Sequence, residues 1–475
     1  MLLGSRKAAR LLEGGKSKGY VLLMVAISSF FTPFMSSSIN VALPSISEEF
    51  SLTAFMYGWV ATSYLLSAAM LMVPFGRLAD IHGRKKVFLI GMWIFVLSSV
   101  LCAFAPSAEL LVAFRVIQGI GSAMLFCTMT AIIVSVFPPN ERGKAIGITT
   151  AIVYIGLSAG PFIGGVLTDA FGWRSLFIVL LPLSIPVLYI GHRLHTVEWA
   201  EAKGEKFDVT GSVIYGLALI GIIVGFSILP QTIGIVLAVL GSVGIAIFVW
   251  QELRTRSPVL DMRLFRDNRA FSLSNLAALI NYGATFAVGY LLSPYLQTVQ
   301  GLSPWNAGLV LAAQPIVMAV FSPIAGRLSD KVEPRLLATA GMAITTIGLL
   351  LFSLIAEDTN IALIVGNLVF IGFGFALFSS PNTNAIMSSV EKRHLGTASA
   401  SVSTMRIVGQ VLSLGIANLC IALFLGDIHI APQVQGEFLQ GLKLAFSIFT
   451  VICLFGIFAS YARGKVREES ASLKL

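Results

Sequence analysis

The chain has 475 residues, of which 56% are hydrophobic and only 12% are charged, and it carries a net charge of +9 and a mean hydropathy of +0.88. This composition excludes a water-soluble protein, because so few polar residues cannot cover a globule of this length. It indicates an integral membrane protein in which nearly the whole chain lies in lipid.

The apolar segments have the length and pattern of membrane-spanning helices. Segments 87–105 and 336–356 are apolar on every face, whereas strands of a membrane β-barrel alternate polar and apolar residues. A helix needs about 20 residues to cross the hydrocarbon layer. The sequence therefore predicts fourteen membrane helices, at residues 20–43, 55–79, 87–105, 108–136, 143–168, 174–191, 209–229, 232–252, 270–299, 304–328, 335–356, 361–389, 395–424 and 440–461.

The basic residues fall on one side of this arrangement. With the N-terminus in the cytoplasm, all but four of the 32 lysines and arginines lie in cytoplasmic segments or at cytoplasmic helix ends, as the positive-inside rule predicts. We therefore expect a multi-pass protein of the cell membrane with both termini in the cytoplasm. Topology and anionic lipid head groups account for the net charge, so no nucleic-acid partner is expected.

Neither the cysteines nor the histidines show a metal-binding pattern. All four cysteines fall inside apolar segments without zinc-ligand spacing, and the five histidines lie in loops or at helix ends without an HExxH motif. We expect no metal ion and no cofactor. We also expect no enzyme activity, because the chain shows no catalytic constellation and no connection long enough to form a soluble domain.

A short charged loop occurs twice in the chain. After predicted helix 2 the sequence reads Gly-Arg-Leu-Ala-Asp from Gly76 to Asp80, and after predicted helix 10 it reads Gly-Arg-Leu-Ser-Asp from Gly326 to Asp330. Two ordinary basic loops would explain the charge but not the repeated order. The repeat predicts that the chain contains two related halves.

These loops and two further motifs resemble signatures of the major facilitator superfamily. The first loop continues through Gly83, Arg84 and two lysines, as in the family's signature between helices 2 and 3. Predicted helices 4 and 5 contain sequences similar to the family's helix-4 motif and its antiporter motif, on Arg115, Gln118 and Gly119, and on Gly156, Gly160, Pro161, Gly164 and Gly165. The segments 40–44, 295–308 and 207–211 are similar to the fourteen-helix drug:proton antiporter branch.

The resemblance implies an all-α major facilitator fold, with two six-helix bundles and two additional helices between them. We expect the first bundle at residues 20–191, the two additional helices at 209–252 and the second bundle at 270–461. Cytoplasmic linkers are expected at 192–208 and 253–269, a basic cytoplasmic N-terminal arm at 1–19 and a cytoplasmic tail at 462–475.

The motifs predict physical roles for their residues. By resemblance, Asp80 and Arg84 would stabilise closure of the cytoplasmic side, although topology alone would explain the neighbouring lysines. Gly156, Gly160 and Gly164 lie on one helix face, where small residues let another backbone approach closely. A proline removes one backbone hydrogen bond and bends a helix. Together with Pro161, this glycine series favours an exporter.

Charged residues are expensive in hydrocarbon and are candidates for function. Arg115 and Arg406 are the two firm charges inside predicted helices, and we expect both to face the central cavity. A structural role as a hydrogen-bond hub near Gln118 is an open alternative for Arg115, as is interhelix contact for Arg406. Further candidates for the cavity are Asn40, Asn281, Asn382 and Gln410.

The sequence departs from the resembled branch at Met35, where related exporters often carry an aspartate, and no Asp or Glu lies at mid-membrane depth. A carboxyl group with a pKa raised by desolvation is the usual proton carrier, so here proton coupling is implied by resemblance only. A cavity with two arginines should disfavour dications and accept neutral or anionic amphiphiles.

The leading hypothesis is proton-linked efflux of amphipathic small molecules by a monomer that works by alternating access. The nearest alternative is a major facilitator transporter specific for one metabolite or organic anion, because a fold does not determine its substrate. A non-transporting membrane sensor is the remaining alternative.

Overall fold

The computed structural model describes residues 15–193, 198–200, 202–229, 231–255, 258–260, 262–329, 331–390, 395–425 and 435–464. Fourteen helices in these ranges are long and apolar enough to cross a membrane, and the same ranges contain no strand. These helices are α1 (Gly15–Phe50), α2 (Ala54–His82), α3 (Arg84–Ala103), α4 (Ala108–Val136), α5 (Pro139–Phe171), α6 (Ser175–Arg193), α7 (Val209–Ser227), α8 (Thr232–Arg254), α9 (Arg269–Val299), α10 (Pro304–Ser329), α11 (Pro334–Ser353), α12 (Ile361–Ser388), α13 (Leu395–Leu425) and α14 (Gln435–Ala462).

The predicted all-α membrane fold is confirmed, but several helices are longer than the apolar segments that predicted them. The first helix continues through Pro44 to Phe50, and α5 begins at Pro139 rather than near residue 143. Hydropathy detects only the part of a helix that lies in hydrocarbon, whereas the helix continues into the polar interface. Two helices are also interrupted: α6 breaks at Val179, and α9 ends in a π-helical turn over Tyr295–Val299.

Capping side chains explain where several helices begin. The first backbone N–H groups of a helix have no partner inside it, and short polar side chains accept hydrogen bonds from them. Such a bond is seen at the start of α2, α4, α7, α9 and α12, where the accepting residues are Thr53, Ser107, Asp208, Asn268 and Asn360.

The helices pair in the same way in both halves of the chain. In the first half, α1 packs on α5, and α4 packs on both α2 and α3. In the second half, α9 packs on α13, and α12 packs on both α10 and α11. The first helix of each six therefore pairs with the fifth, and the fourth with the second and third, which agrees with the repeated loop in the sequence.

Two helix pairs form the main contact between the halves. These are α5 with α10 and α2 with α13, so each half contributes its second and fifth helices. The α7–α8 hairpin packs chiefly on itself, and α7 also touches α2 and α13. Along α8 the side chains Ile233, Val239, Leu240 and Trp250 are exposed, as expected of a helix that faces lipid.

The glycines of α5 lie against α1. A Cβ on Gly156 would lie 2.8 Å from the carbonyl oxygen of Phe30, and one on Gly164 would lie 2.9 Å from the Cβ of Ser38. At Gly160 a Cβ would overlap the hydroxyl of Ser37. Any larger residue at these positions must therefore push the two helices apart.

We expect Gly160→Leu to destabilise the protein by about 1–3 kcal/mol, because overpacking at this crossing displaces α1. Gly147→Leu is the matched control, since Gly147 lies on the same helix and a Cβ there meets nothing within 4 Å. Pro161→Ala should leave the fold intact but change the transport turnover. Thermal unfolding of the three purified variants measures their stability, and transport rates in proteoliposomes measure the turnover of Pro161→Ala. Equal melting temperatures for Gly160→Leu and Gly147→Leu would disprove the packing argument.

Candidate functional site

A central cavity lies between the two halves of the chain. Its walls come from α1, α5, α9, α10, α12 and α13. Its apolar lining consists of Leu157, Pro161, Phe286, Gly289, Leu311, Pro315, Met318 and Phe375, and its polar lining consists of Ser37, Asn40, Tyr282, Thr285, Gln314 and Gln410. In the described part of the chain, no charged side chain lines this cavity. The site is thus largely apolar with several neutral hydrogen-bonding groups.

A second, smaller pocket adjoins the central cavity on the predicted cytoplasmic side. The two share Leu157 and Gln410 as lining residues. The second pocket also contains Arg406, whose guanidinium lies 5.1 Å from the centre of the Phe126 ring. This contact crosses from α13 in one half to α4 in the other.

Two of the predicted cavity residues line the central cavity, and a third, Arg406, lies in the adjoining pocket instead. Asn40 lines the central cavity, and its buried Oδ1 accepts no hydrogen bond within the described ranges. Gln410 lines both pockets, and Arg406 lines the second. Nothing in the sequence marks Tyr282 or Gln314 as a cavity residue, because a tyrosine or glutamine in an apolar helix can be assigned to a cavity only when the positions of its neighbours are known.

The prediction that Asn281 and Asn382 face the cavity is wrong for the described structure, because neither lines the central cavity or the second pocket. Asn281 is fully buried in α9, and the next residue, Tyr282, lines the cavity instead. Asn382 joins helices: its Nδ2 donates to the carbonyl of Ser274 (3.0 Å), and its Oδ1 accepts from Arg463 (2.6 Å). Sequence gives the depth of such a residue in a helix but not the direction in which it points.

Arg115 is likewise outside both pockets, so its predicted cavity role is corrected in favour of a structural hub. It is fully buried, and its guanidinium lies 4.3 Å from the centre of the Tyr64 ring. Its Nε donates to the carbonyl of Val60 (3.1 Å), and its Nη1 donates to Gln118 Oε1 (2.7 Å). Gln118 in turn donates to Ser99 Oγ at 2.7 Å. The motif therefore fastens α4 to α2 and α3.

Other motif residues also sit at close helix contacts. A Cβ on Gly119 would overlap the Ser67 hydroxyl of α2, whereas one on Gly76 would lie 3.6 Å from Cys127 of α4. In the second half, a Cβ on Gly326 would lie 2.8 Å from the hydroxyl oxygen of a serine in α12. Asp330, the last residue of the repeated loop, lies outside the described residues.

The first charged loop is held by an ion pair. Arg84 donates through Nε to Asp80 Oδ1 at 2.7 Å, around Gly83, whose φ of +118° favours glycine. The Nη1 of Arg84 also donates to Ser135 Oγ (2.7 Å) and to the carbonyl of Ala131 (3.2 Å). These bonds join α2, α3 and α4 at the predicted cytoplasmic side. The predicted role of this loop in gating therefore has a defined structural basis, but stays a prediction.

The family model for the Major Facilitator Superfamily matches residues 25–414 and 274–474. The chain belongs to the major facilitator superfamily. Its predicted resemblance to the drug-efflux branch is confirmed by relatives that include the multidrug resistance protein Stp of Mycobacterium tuberculosis, at 33% identity over 82% of this chain and 73% of that protein. The multidrug efflux pump LfrA of Mycolicibacterium smegmatis is 30% identical over 82% of this chain and 78% of its own length.

Not every similar transporter is named for drugs. The riboflavin transporter RibZ of Clostridioides difficile is 32% identical over 82% of this chain and 85% of its own length. Among solved structures, a bacterial homologue of the human lysosomal transporter Spinster in an inward-facing, unoccupied conformation has a TM-score of 0.68 at 17% identity, and the match covers 94% of this transporter and 97% of that chain. This likeness shows the fold.

The linker before α7 docks on the charged loop, a contact that sequence reasoning missed. Glu198 accepts from the backbone N–H groups of Lys85 (3.0 Å) and Lys86 (3.4 Å) at the start of α3. The carbonyl of Trp199 accepts from the backbone of Arg84 at 2.8 Å, and Glu205 pairs with an arginine near the end of α2. The signal for this contact in the sequence was the presence of Glu198 and Glu205 on the predicted cytoplasmic side, which is otherwise basic.

The halves of the transporter are joined on the predicted outer side of the cavity. Asn418 of α13 accepts from the Tyr290 hydroxyl of α9 and donates to Thr62 Oγ1 of α2 at 3.2 Å. Gly58 of α2 lies so close to Asn418 that a Cβ there would overlap its amide. On the predicted cytoplasmic side the halves also meet at the Tyr154 hydroxyl, 2.6 Å from a serine hydroxyl of α12.

We expect Asp80→Asn to lower transport by about tenfold with little loss of folded protein, because it weakens a loop ion pair worth about 1.4 kcal/mol. Asp267→Asn is the control, since Asp267 also pairs with an arginine but on an exposed surface helix. Initial transport rates in proteoliposomes and the yield of monodisperse protein measure the two effects. Normal transport by Asp80→Asn across a range of gradients would show that this loop has no gating role.

Proposed function

We propose that this transporter exports amphipathic small molecules by alternating access and that protons drive the export. The central cavity carries this proposal, because its apolar walls would hold the body of an amphiphile and its neutral polar groups would orient one. Ligand sites are typically concave and mostly apolar with a few placed polar groups, and this cavity has that kind of lining. The drug-efflux relatives and the antiporter motif in α5 support export.

The cavity chemistry favours substrates without positive charge. The cavity offers hydrogen bonds that do not depend on pH, from Ser37, Asn40, Gln314 and Gln410. The charged residue Arg406 lines the adjoining second pocket. A dication would therefore lose hydration without gaining a carboxylate partner. An uncharged amphiphile has no such penalty, and an anionic amphiphile can place its charge near Arg406 in the adjoining pocket.

Proton coupling rests on the family. In the described structure Met35, at the position where exporters of the resembled branch often carry an aspartate, is fully buried, and the fully buried carboxyl group of Glu252 lies at the end of α8, outside both pockets. Its Oε2 accepts from the backbone of Leu260 at 2.9 Å. The cavity itself thus offers no carboxyl group that would link protonation directly to ligand binding.

A single specific substrate is the second candidate function, and the similarity to the riboflavin transporter favours it. Riboflavin is uncharged and combines an aromatic body with hydroxyl and imide groups, so its chemistry suits the same cavity. The two candidates differ in breadth: an exporter of amphiphiles accepts unrelated scaffolds, whereas a specific carrier accepts one.

Counterflow in proteoliposomes tests both functions with four probes: the neutral 1-naphthaleneacetamide, the anionic 1-naphthaleneacetic acid, the dication propidium, and riboflavin. We expect exchange of the neutral and anionic naphthalenes and little exchange of propidium. Exchange of riboflavin alone would support the specific carrier. If protons are exchanged for substrate, an acidic lumen should drive uptake of the amide. Equal uptake with and without this proton gradient would disprove proton coupling.

The affinity for the neutral probe should change less than about twofold between pH 6 and 8, the range in which a carboxyl group with a raised pKa titrates. The reason is that no carboxylate or imidazole lines the cavity within the described ranges. Equilibrium binding to purified wild-type protein at several pH values measures this. A steep rise in affinity for propidium with pH would contradict the prediction and reveal a titrating acid.

A further inference from the structure

Arg406 lies deep in the membrane and between the two halves. It belongs to α13, a helix of 31 residues whose middle is Gln410, and it lies one turn from that middle toward the predicted cytoplasmic side. Its side chain is partly exposed to the second pocket, and Phe126 lies beneath its guanidinium. The arginine therefore reaches from one half to the surface of the other at the level of the cavity.

The charge of Arg406 has no counter-charge in the described structure. Within those ranges it forms neither a hydrogen bond nor an ion pair with another residue, and no carboxylate lines either pocket. The buried Arg463 differs, because its guanidinium donates to Ser274, Asn382 and Ser460. An arginine stays protonated under physiological conditions, so the second pocket holds a fixed positive charge with unused donors.

The position of this charge relative to the central cavity suits a two-part ligand. Gln410 and Leu157 line both pockets, so the charged pocket opens directly beside the apolar one. A planar guanidinium binds carboxylate, sulfonate and phosphate groups through paired hydrogen bonds. The contact with Phe126 involves no hydrogen-bond acceptor atom, so it leaves the N–H donors of the guanidinium available for such a group.

We propose that the second pocket is an anion subsite, in which Arg406 binds the acidic group of an amphiphile whose apolar body fills the central cavity. This inference rests on the proposed function and deepens it, because it predicts that anionic amphiphiles bind more tightly than uncharged ones. A fixed cation beside an apolar cavity gives an acid an advantage over its uncharged isostere, and repels cations from the same path.

Binding of a matched pair of probes tests the subsite. Tritiated 1-naphthaleneacetic acid and 1-naphthaleneacetamide share one ring system and differ in the acidic group. Their dissociation constants are measured by scintillation proximity on the full chain in nanodiscs of phosphatidylcholine. We expect the wild type to bind the acid about tenfold more tightly than the amide, and Arg406→Gln to remove this preference while changing amide affinity less than about twofold.

Three further variants separate the charge from a structural effect. Arg406→Lys keeps a cation and should retain most of the preference. Gln410→Glu places a carboxylate one turn from Arg406, so it should neutralise the subsite and lower acid affinity without removing the arginine. Arg269→Gln removes an exposed positive charge at the start of α9, away from both pockets, and should leave the preference unchanged.

The outcomes distinguish the subsite from the function on which it rests. If the wild type binds neither probe, the proposed function fails. If it binds both but Arg406→Gln weakens them equally, or if Gln410→Glu keeps the preference for the acid, the subsite is overturned and the proposed function stands. Nanodiscs with phosphatidylglycerol test a lipid source of the same anionic chemistry. A preference that disappears only there would assign the pocket to a lipid head group and overturn the solute site.

Discussion

The close approach of α5 to helices of both halves is the constraint on which the rest of this transporter depends. One face of α5 carries the glycines that meet α1, and another carries Gly165 and Pro161, which meet α10. A Cβ on Gly308 of α10 would overlap the carbonyl of Pro161. In lipid, where apolar burial drives no association between helices, such backbone proximity is a main source of packing energy. Leu157 and Pro161 line the cavity, so packing and ligand site share one helix.

The interior arginines show two solutions to the cost of charge in a membrane. Arg115 is surrounded by a backbone carbonyl, an amide and an aromatic ring, and it fastens helices together. Arg406 keeps its donors unused and faces open space. Both are arginines inside apolar helices, and only their surroundings separate a structural group from one that is available to a ligand. The interior polar residues divide in the same way, since Asn40 lines the cavity whereas Asn382 holds Arg463.

The sequence predicted the number of helices and the family because hydropathy and short motifs are local properties. It placed Asn40 and Gln410 correctly at the central cavity, but it misplaced Asn281, Asn382 and Arg115, and Arg406 lies in the adjoining pocket. Depth follows from position along a helix, whereas direction around the helix depends on neighbours far away in the chain. The contact of Glu198 with the start of α3 was missed for the same reason, because it joins residues more than 100 positions apart.

The environment of Arg115 also bears on how the protein enters the membrane. Inserting an arginine in an isolated membrane helix costs at most about 2.5–3.5 kcal/mol, the value at the helix centre, and Arg115 lies two turns from the start of α4. Its partners Val60 and Tyr64 lie on α2, and Ser99, which supports Gln118, lies on α3. Both helices are synthesised earlier, so they are available as a polar docking surface when α4 emerges. The order of the helices along the chain is thus itself part of the biogenesis of this protein: a circular permutation with α4 ahead of α2 would present a bare guanidinium to the bilayer.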